Sequence, residues 1–139
     1  MKLQINKNAS DQLNGFTAIS ILQKDEIKNI IHSSCTEVYA NRILDELEYE
    51  EALKFLIELM QKVRLGGNII LSGIDLISLG QNITNELIDS ASTSAIISNA
   101  KSIIDTRIIT NLLESNGFIL EYLMLLDQNY YELKANRTK

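Results

Sequence analysis

The sequence contains no proline and no tryptophan, and it holds one cysteine, one histidine and six glycines among 139 residues. Without proline there is no polyproline segment and no rigid Pro-rich linker, so the chain offers no obvious domain boundary. A lone cysteine, Cys35, has no internal disulfide partner. Together with the lone His32 it leaves a zinc site short of its usual nitrogen and sulfur ligands, so no metal is expected. No apolar run approaches the roughly 20 residues that span a bilayer, which argues against a membrane helix. Basic residues are also in the minority, 13 Lys and Arg against 18 Asp and Glu, for a net charge of −5. A nucleic-acid backbone would meet net repulsion. The one basic cluster, Lys134, Arg137 and Lys139, reads as a solvated tail. The N-terminus shows no basic segment followed by an apolar signal core, so the expected compartment is the cytoplasm. Asn-x-Ser/Thr triplets at Asn8, Asn82 and Asn136 are then chance occurrences.

What is present is ordinary for a globular protein: 45% hydrophobic and 22% charged residues. One domain spanning 1–139 is expected. Leu3-Gln4-Ile5 alternates and then runs into Asn6-Lys7-Asn8, a strand followed by a turn. Phe16 to Leu22 is β-favouring, with the strand expected at 17–22. Ile27, Ile30 and Ile31 fit a short helix over 24–31, and 36–40 a third strand.

The strongest helical signal runs from Tyr49 to Val63, with Ala52, Leu53, Leu56 and Met60 on one face and Glu50, Lys54, Glu58 and Lys62 elsewhere. Gly66-Gly67 is expected to end that helix, and 68–72 to form a buried strand. A helix feeding a buried strand points to a parallel sheet. Residues 73–104 predict one or two helices without a firm period. Asp105 or Thr106 can cap a helix carrying Ile108, Ile109, Leu112 and Leu113, stopped by Asn116-Gly117. Phe118 to Leu126 and Tyr130 to Ala135, joined around Asp127-Gln128-Asn129, predict an antiparallel hairpin.

Three stretches in order carry a resemblance. Glu37-Val38-Tyr39-Ala40-Asn41-Arg42-Ile43-Leu44-Asp45-Glu46-Leu47-Glu48-Tyr49-Glu50-Glu51-Ala52 is followed by Val63-Arg64-Leu65-Gly66-Gly67-Asn68-Ile69-Ile70-Leu71-Ser72 and then by Leu112-Leu113-Glu114-Ser115-Asn116-Gly117-Phe118. They resemble the class I S-adenosylmethionine-dependent methyltransferases, whose fourth strand and helix, passage into strand five and entry to the terminal hairpin read similarly. The resemblance implies an α/β, Rossmann-like methyltransferase fold: a mostly parallel sheet with a C-terminal antiparallel hairpin, here shortened between strands two and four.

The same resemblance locates cofactor-binding positions at Asn6, Asn8, Ser20, Asn41 and Arg42. Asn6-Lys7-Asn8 stands in place of a Gly-rich loop, and side chains there occupy cofactor space. Ser20 stands in place of the acidic residue that binds the ribose hydroxyls. Arg42 and Glu46 stand where the family often has histidine. Between Leu22 and Thr36 there is too little chain for the family's third strand and adenine-contacting loop.

These departures predict a non-catalytic, methyltransferase-like protein without catalytic residues of its own. S-adenosylmethionine is the cofactor if there is one, and none is the expectation. The protein would act through a protein partner or as a homo-oligomer, a dimer in the simplest case, because shortening leaves sheet edge or helix surface uncovered. The alternatives are an active methyltransferase on a small-molecule acceptor and a binder of another nucleoside or a sugar. Two side-chain groups have blander readings: Asp45, Glu46, Glu48, Glu50 and Glu51 as a solvated helix N-terminus, and Tyr122, Tyr130 and Tyr131 as strand packing.

Overall fold

The computed structural model describes residues 1–7, 11–127 and 129–139. Six strands form one sheet: β1 (Lys2–Asn6), β2 (Thr17–Ser20), β3 (Cys35–Asn41), β4 (Val63–Ile74), β5 (Phe118–Leu126) and β6 (Tyr130–Arg137), in the order β2-β1-β3-β4-β6-β5. β1 pairs in parallel with β2 and β3, and β3 with β4. β6 lies antiparallel between β4 and β5. The α-helices are α1 (Tyr49–Lys62), α2 (Leu76–Thr84), α3 (Ser90–Ser98) and α4 (Thr106–Ser115). This is a Rossmann-like α/β architecture with a closing hairpin.

Register explains the core. Leu3 lies beside Val38, Val38 beside Ile69 and Ile69 beside Ala135; one row on, Ile5, Ala40, Leu71 and Leu133 line up in the same way. All eight are buried in one cluster with Ala52, Phe55, Leu56 and Leu59 of α1 and Ile109 and Leu113 of α4. Burying each large aliphatic side chain is worth about 1.5–3 kcal/mol, so this face carries most of the fold's stability. Alternate residues, among them Tyr39, Ile70 and Lys134, line the opposite face and stay half-buried.

α1 forms because its apolar residues recur at helical spacing, with Glu50 and Glu51 in the first turn and Lys62 in the last, matching the dipole. Lys62 itself is buried, its stem packed and its ammonium donating to the Ile30 carbonyl at 2.8 Å. The helix stops there, four residues before the glycines expected to stop it. β4 begins at Val63, pairs with Cys35, and then bulges outward over Arg64 to Gly67 before Asn68 pairs with Glu37. Gly66 takes φ +77° in that bulge. At Gly67 a Cβ would sit 2.9 Å from the Thr36 carbonyl oxygen, so the glycine serves close strand approach.

Two further boundaries differ from expectation. β2 stops at Ser20, not 22, because the Ser20 hydroxyl accepts from the Leu22 N–H at 3.2 Å and opens a 3-10 segment over Ile21–Asn29. That segment replaces the α-helix expected over 24–31; only Ile27 of it is buried, too little apolar surface to hold a regular helix. It runs on to β3 with no strand in residues 21–34, so β2 forms a sheet edge. The uncertain middle region holds two helices, α2 and α3, capped by Asp75 and Asp89. α3 buries no residue. Asp105 caps α4, accepting from the Arg107 N–H at 2.9 Å. The expected hairpin turn includes Gln128, which lies outside the described residues.

Candidate functional site

In an open parallel sheet, ligands gather at the carboxyl ends of the strands where the strand order reverses. Here that point lies between β1 and β3: the chain leaves β1 toward β2 on one side and later returns to β3 on the other. The ends of these strands supply Asn6 and Lys7 from β1 and its turn, and Asn41 and Arg42 from β3.

Two cavities open there and share Lys7 and Arg42. The smaller, about 290 Å³, is lined by Gln4, Asn6, Tyr39 and Asn41 among others. The larger, about 610 Å³, adds Asp45, Glu46, Asn99 and Tyr130. The structure thus brings together Asn6, Asn41 and Arg42 of the expected site residues. Asn8 lies outside the described residues. Ser20 lines neither cavity, and its hydroxyl is engaged with Leu22.

Local hydrogen bonds fix this arrangement. The Ser72 hydroxyl donates to Asn41 Oδ1 at 2.5 Å, and the Arg42 N–H donates to both the carbonyl and the hydroxyl oxygen of Ser72 at 3.1 Å. Arg42 is held at φ +54°, a left-handed conformation uncommon for a residue with a long side chain. Its guanidinium lies 3.8 Å from the centroid of the Tyr130 ring. Lys7 forms a 2.5 Å ion pair with Glu46.

Gln4 pins the turn after β1 to the sheet: its Nε2 donates to the Asp11 carbonyl, and its Oε1 accepts from the Leu13 N–H, both at 2.8 Å. Only ten residues, Lys7 to Phe16, join the parallel strands β1 and β2, and among the described ones there is no α-helix. Parallel crossovers ordinarily take a dozen or more residues and a helix. The helix N-terminus that would face an anion in a Rossmann site is therefore lacking among them.

Asp45 is the one strongly perturbed acid. Burial pushes its carboxyl up to about 6, opposed by a hydrogen bond from the Ile74 N–H at 3.1 Å and by the charges of Lys7 and Arg42. The acidic stretch around it is therefore not one solvated helix start: Glu48 and Glu50 are exposed, but Asp45 is 8% exposed and precedes α1 in a separate 3-10 turn. Sequence reading missed Lys7, Asp45 and Tyr130 as site residues. Lys7 was legible as the cation inside the Asn6-Lys7-Asn8 turn; nothing local distinguishes Asp45 from its acidic neighbours. The tyrosines divide as well. Tyr131 packs in the core, Tyr122 donates to Glu132 at 3.0 Å, and Tyr130 lines the larger cavity.

Among the described residues no helix is long and apolar enough to cross a membrane, and no three His, Cys, Asp or Glu side chains come together as a metal site would require.

No family model matches the chain, and no curated protein matches it. Solved structures do. A SAM-dependent methyltransferase from Archaeoglobus fulgidus superposes with a TM-score of 0.65 at 12% identity, over 97% of this chain and 75% of that one. An O-methyltransferase family protein from Burkholderia thailandensis gives 0.62 at 18% identity, over 89% of this chain and 36% of its own length. Magnesium protoporphyrin IX methyltransferase from Synechocystis, solved with bound SAH, gives 0.59 at 16%, over 95% of this chain and 56% of that one. This chain thus spans little more than a third of the Burkholderia protein. At such identities the likeness is one of fold: the chain has the Rossmann-like methyltransferase fold, and the fold does not fix what it does.

Proposed function

We propose that this protein is a non-catalytic member of the methyltransferase fold that acts by associating with a second copy of itself through the edge strand β5. The observation that carries this reading is the apolar, uncovered edge. β5 is the last strand of the sheet, and Ile119 and Leu125 are 61% and 59% exposed, with Leu123, Met124 and Leu126 beside them also exposed. Proteins that remain monomeric blunt such edges with charge, proline or bulges. β5 has one charged side chain, Glu121, which Lys134 and Asn136 of β6 already hold, and one irregularity in its pairing, between Leu120 and Tyr122; the apolar run from Leu123 to Leu126 lies beyond both.

The strand is self-complementary. Antiparallel pairing with a second copy about Leu123 sets Tyr122 opposite Met124 on the regular side of that irregularity, and the single Glu121 of each copy meets no like charge. The pairing would extend the sheet and cover the apolar edge in one step.

Three features support the loss of methyl transfer. Ser20 provides a neutral hydroxyl, spent on Leu22, where the fold's cofactor site calls for a carboxylate on the ribose. The short connection after β1 supplies no helix N-terminus among the described residues. Asn6, which stands in place of a glycine of the cofactor loop, puts a side chain in the wall of the smaller cavity where the backbone would have to approach the ligand. The residues present do not fit this cofactor.

Sedimentation velocity at micromolar concentration tests the association. A dimer is expected for the wild type, and a monomer with unchanged circular dichroism for Leu123→Lys combined with Leu125→Lys. A wild-type monomer at high micromolar concentration contradicts the proposal.

A further inference from the structure

Association through β5 makes no use of the groove at the other side of the sheet, where three observations converge on a ligand. The first is Asn6. It is 4% exposed, lies in the wall of the smaller cavity, and among the described residues neither Oδ1 nor Nδ2 has a hydrogen-bond partner. A buried carboxamide with no partner costs stability, and an aliphatic side chain in its place would not. Both atoms are buried, and the broad terminal torsion lets the carboxamide rotate to meet a group in the cavity.

The second is charge. In a chain with a net charge of −5, Lys7 and Arg42 stand together where the two cavities meet; Lys7 is paired with Glu46, and Asp45 also lines the larger cavity, so Arg42 is the cation left open to an anion. Arg42 is kept there at φ +54° by its bonds to Ser72, a strained backbone of the kind that persists at functional sites. Among the described residues no ion pair holds its guanidinium, which rests on the Tyr130 ring in the wall of the larger cavity with its charge felt at Asp45. A guanidinium so placed matches a phosphate, and Lys7 adds a flexible point charge beside it on exchanging Glu46 for the ligand. The third is shape. Tyr39 contributes an aromatic ring to the smaller cavity, and volumes of about 290 and 610 Å³ suit a small ligand that reaches from one cavity toward the other.

We propose that this groove binds a nucleoside monophosphate, its phosphate held by Arg42 and Lys7, its base against Tyr39 and read at one edge by the Asn6 carboxamide. Adenine suits that edge, because a carboxamide can donate to its ring nitrogen and accept from its amino group in a paired contact. The ligand is anionic, which separates it from a sulfonium cofactor.

Isothermal titration of the full chain with adenosine monophosphate and with adenosine, as separate probes, tests the site. The monophosphate should bind at least about tenfold tighter than the nucleoside, the increment of one charge-assisted contact. Arg42→Gln should remove that increment and leave adenosine binding unchanged. Asn6→Leu should weaken both probes by about tenfold or more while raising the thermal unfolding midpoint, a combination that a structural asparagine would not give. If Asn6→Leu fails to fold, the Arg42→Gln comparison still decides. Equal affinity for the two probes, an equal loss of both in Arg42→Gln, or no binding of the monophosphate at millimolar concentration overturns the proposal.

Discussion

Two of the three connections between parallel strands in this sheet are built from different materials. Between β3 and β4 the chain makes a fourteen-residue helix, α1, whose Ala52, Leu56 and Leu59 are fully buried against the strands. Between β1 and β2 it has only a ten-residue connection, whose described part is tied down by two hydrogen bonds between Gln4 and the backbone of Asp11 and Leu13. Apolar burial is worth several kcal/mol over a helix face, whereas each hydrogen bond nets about 0.5–1.5 kcal/mol. The same sheet therefore has a deep half that holds the fold and a shallow half that frames the groove. Sites drawn from the less stable end of a structure are common, because they must admit a ligand.

Truncating one residue from each half is the most direct way to break this contrast. Leu56→Ala, in a fully buried position, should cost about 2–5 kcal/mol and lower the urea midpoint of global unfolding sharply. Asp45 ranks next, and its sign follows from its raised carboxyl. The folded state holds the proton up to about pH 6, while the unfolded chain releases it near the ordinary value of 3.8. The stabilising contribution is therefore full below pH 3.8 and is lost as the pH rises through about 6.

At about 1.4 kcal/mol per tenfold change in proton affinity, that contribution is on the order of 2–3 kcal/mol. Asp45→Asn should flatten the unfolding free energy across this window and leave the variant more stable than wild type at neutral pH. A pH series of urea melts measures both. The smallest effect should come from the shallow half: Gln4→Ala releases two hydrogen bonds and should cost about 1–3 kcal/mol. Hydrogen exchange in that variant should accelerate at β2 and leave β4 protected. Equal acceleration in both strands would erase the distinction between the halves.

How much of this was legible in the sequence follows the same division. The helix over Tyr49 to Val63 announces itself by its helical period, and the strand at 68–72 and the terminal hairpin by apolar, β-favouring runs bounded by Gly66-Gly67 and by the Asp127-Gln128-Asn129 turn. The shallow half was read less well. A strand to residue 22 was expected from residue preference and a helix over 24–31 from the spacing of Ile27, Ile30 and Ile31, but Ser20 caps a 3-10 turn, and one buried isoleucine cannot sustain a helix. Of the site, Asn6, Asn41 and Arg42 were found through motif position, and they do meet at one cavity. Asp45 and Tyr130 were missed because what distinguishes them is burial and a cross-sheet contact, neither of which has a local signature.

One titration addresses the central claim, that this methyltransferase fold does not serve methyl transfer. Calorimetry of the wild-type chain with S-adenosylmethionine, and in parallel with S-adenosylhomocysteine, should show no saturable binding at high micromolar concentration. Micromolar binding of either compound, accompanied by transfer of a methyl group to any acceptor, would contradict it.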